Sequence, residues 1–224
     1  MTIHRKYIET GISGLDGMLN EGFLEGSIIF VSGATGAGKS TLATQFLYNG
    51  AIEQNEPGLI ISIEESREDF FFHISGYNWD VEGLERDKKL ILLDYPIQEV
   101  DQILSQFSAV HEIIQNFGAK RLVIDSIMPI ALYFKGEDER KRGFLKLIEN
   151  IRKWGVTTLI TSENMVSGAM TNSKTGSGTG SNSEELPVSE YGFESFTDGW
   201  LHLSYSTDEK SGTRKRMIKV LKMK

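Results

Sequence analysis

The stretch "SGATGAGKSTLATQFL", residues 32–47, sets small residues, a lysine and two hydroxyls between the apolar run "SIIFV" and a helix-like segment. Gly33, Gly38, Lys39 and Ser40 fit G-x-x-x-x-G-K-[ST] without a mismatch, with a strand expected before the motif and a helix after it. Small residues let the backbone curl until successive N–H groups converge on phosphate oxygens, and the start of the helix adds the positive end of its dipole. In such a cradle Lys39 places a point charge at the β and γ phosphates, and the Ser40 hydroxyl binds Mg2+.

Outward from this motif, short β-branched and apolar runs alternate with longer amphipathic segments, the pattern of a mostly parallel sheet covered by helices. We expect strands near 28–32, 59–63, 90–93, 121–125 and 157–161. Val100, Ile103, Leu104, Phe107, Val110, Ile114 and Phe117 recur at a helical period, which predicts one helix between the third and fourth strands, capped by Gly118. A second helix is expected over 137–154. The runs "GWLHLSYS" and "RMIKVLKM" flank the turn-like "TDEKSGT" and read as a C-terminal antiparallel hairpin. Residues 167–186, poor in apolar side chains and rich in Gly, Ser, Thr and Asn, are expected to form a mobile loop.

Composition bounds the rest. A chain of 224 residues, 39% apolar and 25% charged, is expected to be one globular domain over residues 1–224. No run is long and apolar enough to enter a membrane, and "MTIHRKYIETG" lacks the apolar core of a secretory signal, so a cytoplasmic location is expected. Cysteine is absent, which removes disulfides, thiol nucleophiles and Cys-based zinc sites. His4, His73, His111 and His202 show no ligand spacing and read as surface or packing residues. The net charge of −7 argues against coating nucleic acid by overall charge. The basic segment "KSGTRKRMIKVLKMK", residues 210–224, reads first as a solvated edge strand, and a functional role must rest on particular members of it.

Hydrolysis needs acids at the ends of other strands. "RLVID" ends in Asp125, placed to reach Mg2+ directly or through water. "GLIISIEES" ends in Glu64 and Glu65, either of which could orient or deprotonate a water. The alternative for that pair is an exposed strand end followed by a helix cap at Ser66.

The ordered set "GISGLDGML", "GATGAGKST", "QFLYNGA", "IISIEES", "LVIDS" and "TTLITSEN" resembles the RecA-type ATPase domains of the KaiC family, from about Thr10 onward. The resemblance implies ATP in the cradle Gly33, Ala34, Thr35, Gly36, Ala37, Gly38, Lys39, Ser40 and Thr41. It further implies Mg2+ at Ser40 and Asp125, a catalytic pair Glu64 and Glu65, and a γ-phosphate sensor at Thr161, Ser162 and Glu163. Family members form hexameric rings with ATP between subunits, and a basic pair near the domain end reaches across; here that pair is Lys222 and Lys224. Lysine at the second position loses the bidentate fork of arginine. The family's phosphorylated Ser-Thr doublet is not preserved in "EYGFESFTDG", where Ser195 and Thr197 are the hydroxyls present.

These readings predict an ATPase that assembles with itself and changes a protein partner according to nucleotide state. The rival is a DNA-handling recombinase paralogue, presenting loops at about 128–142 and 165–190. Lys135, Arg140, Lys141, Arg142 and Lys174 in those segments are opposed by Glu137, Asp138, Glu139, Glu184 and Glu185, a poor funnel for phosphates.

Overall fold

In the computed structural model, residues 5–19, 21–163, 191–207 and 212–224 are described. A small antiparallel pair, β1 (Tyr7–Ile8) and β2 (Phe23–Leu24), precedes the main sheet. The remaining strands are β3 (Ile28–Gly33), β4 (Gly58–Ser62), β5 (Leu90–Asp94), β6 (Arg121–Asp125), β7 (Thr157–Glu163), β8 (Gly199–Thr207) and β9 (Arg214–Lys222). They form one seven-stranded sheet in the order β5-β4-β6-β7-β3-β8-β9, parallel throughout except for β9. The five expected strands, β3 to β7, fall where the apolar runs place them, with β5 at the sheet edge, and the C-terminal hairpin forms as expected. This is a RecA-like α/β fold.

The helices are α1 (Leu15–Leu19), α2 (Lys39–Glu53), α3 (Arg67–Ile74), α4 (Val81–Arg86), α5 (Val100–Ser105), α6 (Phe107–Phe117), α7 (Met128–Tyr133) and α8 (Glu137–Trp154). β3 is buried along its whole length because both faces are covered. Ile28 and Phe30 join the core under α5 to α8, whereas Ile29 and Val31 join the core under α2. Each such Ile or Phe contributes roughly 1.5–3 kcal/mol when fully buried.

The single helix expected between β5 and β6 is broken in two. Ser105 Oγ donates to the Gln102 carbonyl at 2.8 Å, competing with the helical ladder, and Gln106 leaves it at φ −100°, ψ 16°. The period survives the break: Val100, Ile103, Phe107, Val110 and Ile114 all face one core. Gly118 ends α6 in the left-handed conformation, as expected.

The stretch 128–142 is not the loop that the DNA-handling reading requires. Met128, Pro129, Ile130 and Ala131 are buried in α7, and the acidic first turn of α8 follows. Two of its cations are engaged: Arg140 donates to the Ala131 and Phe134 carbonyls, and Lys141 pairs with Glu137 at 2.7 Å. The segment 165–190, and with it the expected mobile loop 167–186, lies outside the described residues.

Arg121, the first residue of β6, is fully buried. Its guanidinium donates to Glu56 Oε2, the Phe46 carbonyl and the Glu9 carbonyl, each at 2.8 Å, and lies 4.5 Å over the Phe46 ring. It ties the N-terminal segment and α2 to the sheet.

Candidate functional site

The cradle lies at the carboxyl end of β3. A side chain at Gly33 would meet the Leu203 carbonyl oxygen at 2.3 Å, so only glycine lets β8 run this close. Gly38 precedes α2 at φ 99°, and no side chain caps the helix, which leaves first-turn N–H groups for an anion. Lys39 is 7% exposed and its Nζ donates to the Ala34 carbonyl at 3.1 Å. Burial lowers its pKa, while the carboxylates of Glu163, Asp125 and Glu64 push the other way.

Parallel register brings these acids together, since β4, β6 and β7 all end on the cradle side of the sheet. Asp125 accepts from Thr161 Oγ1 and from Ser40, so the two residues expected to hold Mg2+ are already in contact. Burial raises the Asp125 pKa against those bonds and Lys39. Glu64 Oε1 accepts from Ser126 Oγ, and burial likewise raises its pKa. Glu163 accepts from Thr35 Oγ1 at 3.1 Å, linking the end of β7 to the cradle.

Adjacent in sequence, Glu64 and Glu65 part company in space. Glu65 Oε1 lies 3.1 Å from His73 Nδ1 on α3, and its carbonyl accepts from Ser62 Oγ. Ser66 caps α3 by accepting from the Asp69 N–H, as the helix-cap alternative expects.

Lys222 and Lys224 are not brought to this cradle. Lys222 pairs with Trp200, itself opposite Phe30, so it sits some three residues back along β3 from Gly33. Lys222 Nζ donates to the Glu194 and Thr197 carbonyls at 3.1 and 2.5 Å, and Lys224 Nζ to Asp198 at 2.9 Å. Thr197 is buried with its hydroxyl donating to the Glu194 and Gly199 carbonyls, whereas Ser195 is exposed.

Three further side chains flank the cradle that sequence reasoning did not single out. The Tyr77 hydroxyl lies 3.3 Å from Thr41 Oγ1, and its ring stacks on Trp79 at 4.7 Å, which continues onto Tyr48. The spacing of aromatics in "YNWD" carried that signal. Arg216 of β9 passes 3.7 Å from the position of a Cβ at Gly38, beside a cavity of about 190 Å³ bounded by Thr41, Leu42 and Ile218. Tyr205 donates its hydroxyl hydrogen to the Gly36 carbonyl, under Arg214. The antiparallel return of β9 separates Arg216 from Lys222, a division that the basic run alone does not reveal.

A phosphate cradle after a central parallel strand, with acids arriving from three other strands, is the arrangement of a RecA-like P-loop ATPase. The chain belongs to the KaiC ATPase family, whose model matches residues 8–224. It is 31% identical over 225 residues to the circadian clock oscillator protein KaiC of Nostoc sp. and 27% identical over 224 residues to that of Synechococcus elongatus. Each alignment covers 97% of this chain and 40% of the relative, so the chain spans well under half of their length. A solved KaiC-like protein from the hyperthermophilic archaeon Pyrococcus horikoshii OT3 superposes with a TM-score of 0.77 at 32% identity, covering 98% of this chain and 89% of that one. ATP binding and hydrolysis are the general chemistry of this family. Among the described residues, no helix is long and apolar enough to cross a membrane.

Proposed function

We propose that this chain binds ATP with Mg2+ and hydrolyses it at the subunit interfaces of a ring-like homo-oligomer, a hexamer, whose nucleotide state governs binding of a protein partner. One observation carries the reading: Lys39, Ser40, Asp125 and Glu64 converge on one cradle, while Lys222 and Lys224 face away from it. About 10 Å of strand separates Lys222 from the level of Gly33, which supports a role for the basic pair at the nucleotide of another copy.

Within the site the roles divide by chemistry. The cradle N–H groups and Lys39 bind the phosphates. Ser40 and Asp125 hold Mg2+, which when bound neutralises charge on the β and γ oxygens. Glu64, anchored by Ser126, orients the attacking water and takes its proton. Glu65, held by His73, serves at the mouth of the site. A neighbour's Lys222 and Lys224 stabilise charge as it develops on the departing phosphoryl group. Tyr77 offers an exposed ring face to the base, and Thr161, Ser162 and Glu163 register the γ-phosphate.

Light scattering with size exclusion, with and without ATP and Mg2+, alongside phosphate release, tests this reading. We expect a ring-sized species that turns ATP over. A monomer under all conditions with full turnover would overturn the interface assignment.

A further inference from the structure

A charged cluster sits at the amino-terminal end of the sheet, away from the cradle. Asp198, 7% exposed, accepts from Arg152 through both oxygens at 3.0 Å, from the Ile28 N–H at 3.0 Å, and from Lys224 Nζ at 2.9 Å. Lys222 is held differently, by two main-chain carbonyls just before Asp198.

The Lys224 contact is built to be exchangeable. Its side chain is 61% exposed, so the pair is weak and sensitive to salt. Its departure leaves Asp198 with the Arg152 fork and the Ile28 N–H, so no buried charge is stranded. A cavity of about 250 Å³, lined in part by Arg152, Asp198 and Lys224, gives the side chain room to move. A triphosphate carries more negative charge than one carboxylate shared between two cations.

We propose that Asp198 is an internal competitor for Lys224: it holds the cation in the free subunit and surrenders it to the phosphates of a neighbouring copy. This rests on the reach-across reading above. Asp198 therefore opposes formation of active interfaces at low protein concentration without changing the chemistry of a completed one. Arg152 sets the strength of the hold, because it shares the same carboxylate.

The test is ATPase activity per subunit against protein concentration for the wild type, Asp198→Asn, Arg152→Gln, Lys224→Ala and the Asp198→Asn, Lys224→Ala double variant. Asparagine keeps an acceptor for the Ile28 N–H, so Asp198→Asn should reach half-maximal activity at a concentration at least threefold lower, with an unchanged plateau. Arg152→Gln removes the guanidinium that shares the Asp198 carboxylate with Lys224 and should shift the midpoint at least threefold upward. A general folding defect would not move the two variants in opposite directions. Lys224→Ala should lower the plateau at least tenfold, and the double variant should match it. If the Asp198→Asn shift persists without Lys224, or if both single variants move the midpoint the same way, the competition is refuted while the reach-across reading stands. If Lys224→Ala keeps the wild-type plateau, the reach-across reading itself fails and this inference falls with it.

Discussion

Ser126 donates its hydroxyl hydrogen to Glu64, turning that carboxylate toward Asp125 and Lys39, while Glu65 turns to His73. Two acids that are equivalent in sequence thereby acquire unequal positions. We expect Glu64→Gln to lower kcat by about 10²–10⁴, the usual scale for a lost general base, and Glu65→Gln to lower it by less than about tenfold. The double variant should still bind ATP. Single-turnover phosphate release for the three variants checks the order, and equal losses for both single variants would remove the distinction.

The acid limb of the pH profile should report Glu64. Burial raises its pKa, with Asp125 and Glu163 adding to the rise and Ser126 and Lys39 opposing it. A base must be deprotonated, so kcat should fall as pH drops through a value above the usual glutamate range. Removing a donor that favours the charged form pushes the pKa further up, so Ser126→Ala should move the limb to higher pH. A limb that stays in place in Ser126→Ala would separate it from Glu64.

Lys39→Ala should abolish tight ATP binding. Lys39 is nearly buried at the floor of the cradle, where the carboxylates of Glu163, Asp125 and Glu64 act on it. A ligand that binds only the folded state raises its stability, by about 2.7 kcal/mol at a hundred times Kd. Saturating ATP and Mg2+ should therefore raise the wild-type Tm and leave that of Lys39→Ala unmoved.

What was legible in the chain was whatever depends on local pattern. β3, β4, β6 and β7 are fully or nearly buried, so their apolar runs stand out, and the cradle motif fixes a strand, a turn and a helix together. What depends on tertiary neighbours was not legible. "RLVID" shows a charged residue at a strand start, and nothing local says that Arg121 is buried against carbonyls of Glu9 and Phe46. The break at Gln106, beside the Ser105 hydroxyl bond to Gln102, leaves the apolar period undisturbed and so gives no local sign. The diverging partners of Glu64 and Glu65 come from β6 and α3, distant in sequence.

Gly50 should tolerate no side chain. It lies inside α2, where alanine would favour the helix by about 1 kcal/mol. A Cβ there would stand 2.2 Å from Arg121 Nε, and Arg121 cannot retreat without giving up Glu56 and two carbonyls. Overpacking of this kind costs about 1–3 kcal/mol and more when a buried charge loses its partners. Gly50→Ala should thus destabilise the fold, seen as a lower midpoint in urea. An unchanged or higher midpoint would mean that the guanidinium relaxes freely.

Lys222 and Lys224 should act on another copy's nucleotide, and complementation can show it. A Lys222→Ala, Lys224→Ala subunit keeps an intact cradle with Glu64 and Asp125, because neither lysine touches them. A Glu64→Gln, Glu65→Gln subunit keeps intact lysines. Each variant alone should form inactive assemblies. In an equal mixture about a quarter of head-to-tail interfaces pair the good cradle with the good lysines, so activity should reappear in roughly that proportion. A lysine acting in its own subunit gives no such recovery, because every cradle remains defective in one half. Silence in mixtures shown by mass spectrometry to exchange subunits would leave Lys222 and Lys224 as anchors of the β9 edge and return the basic run to a solvated strand.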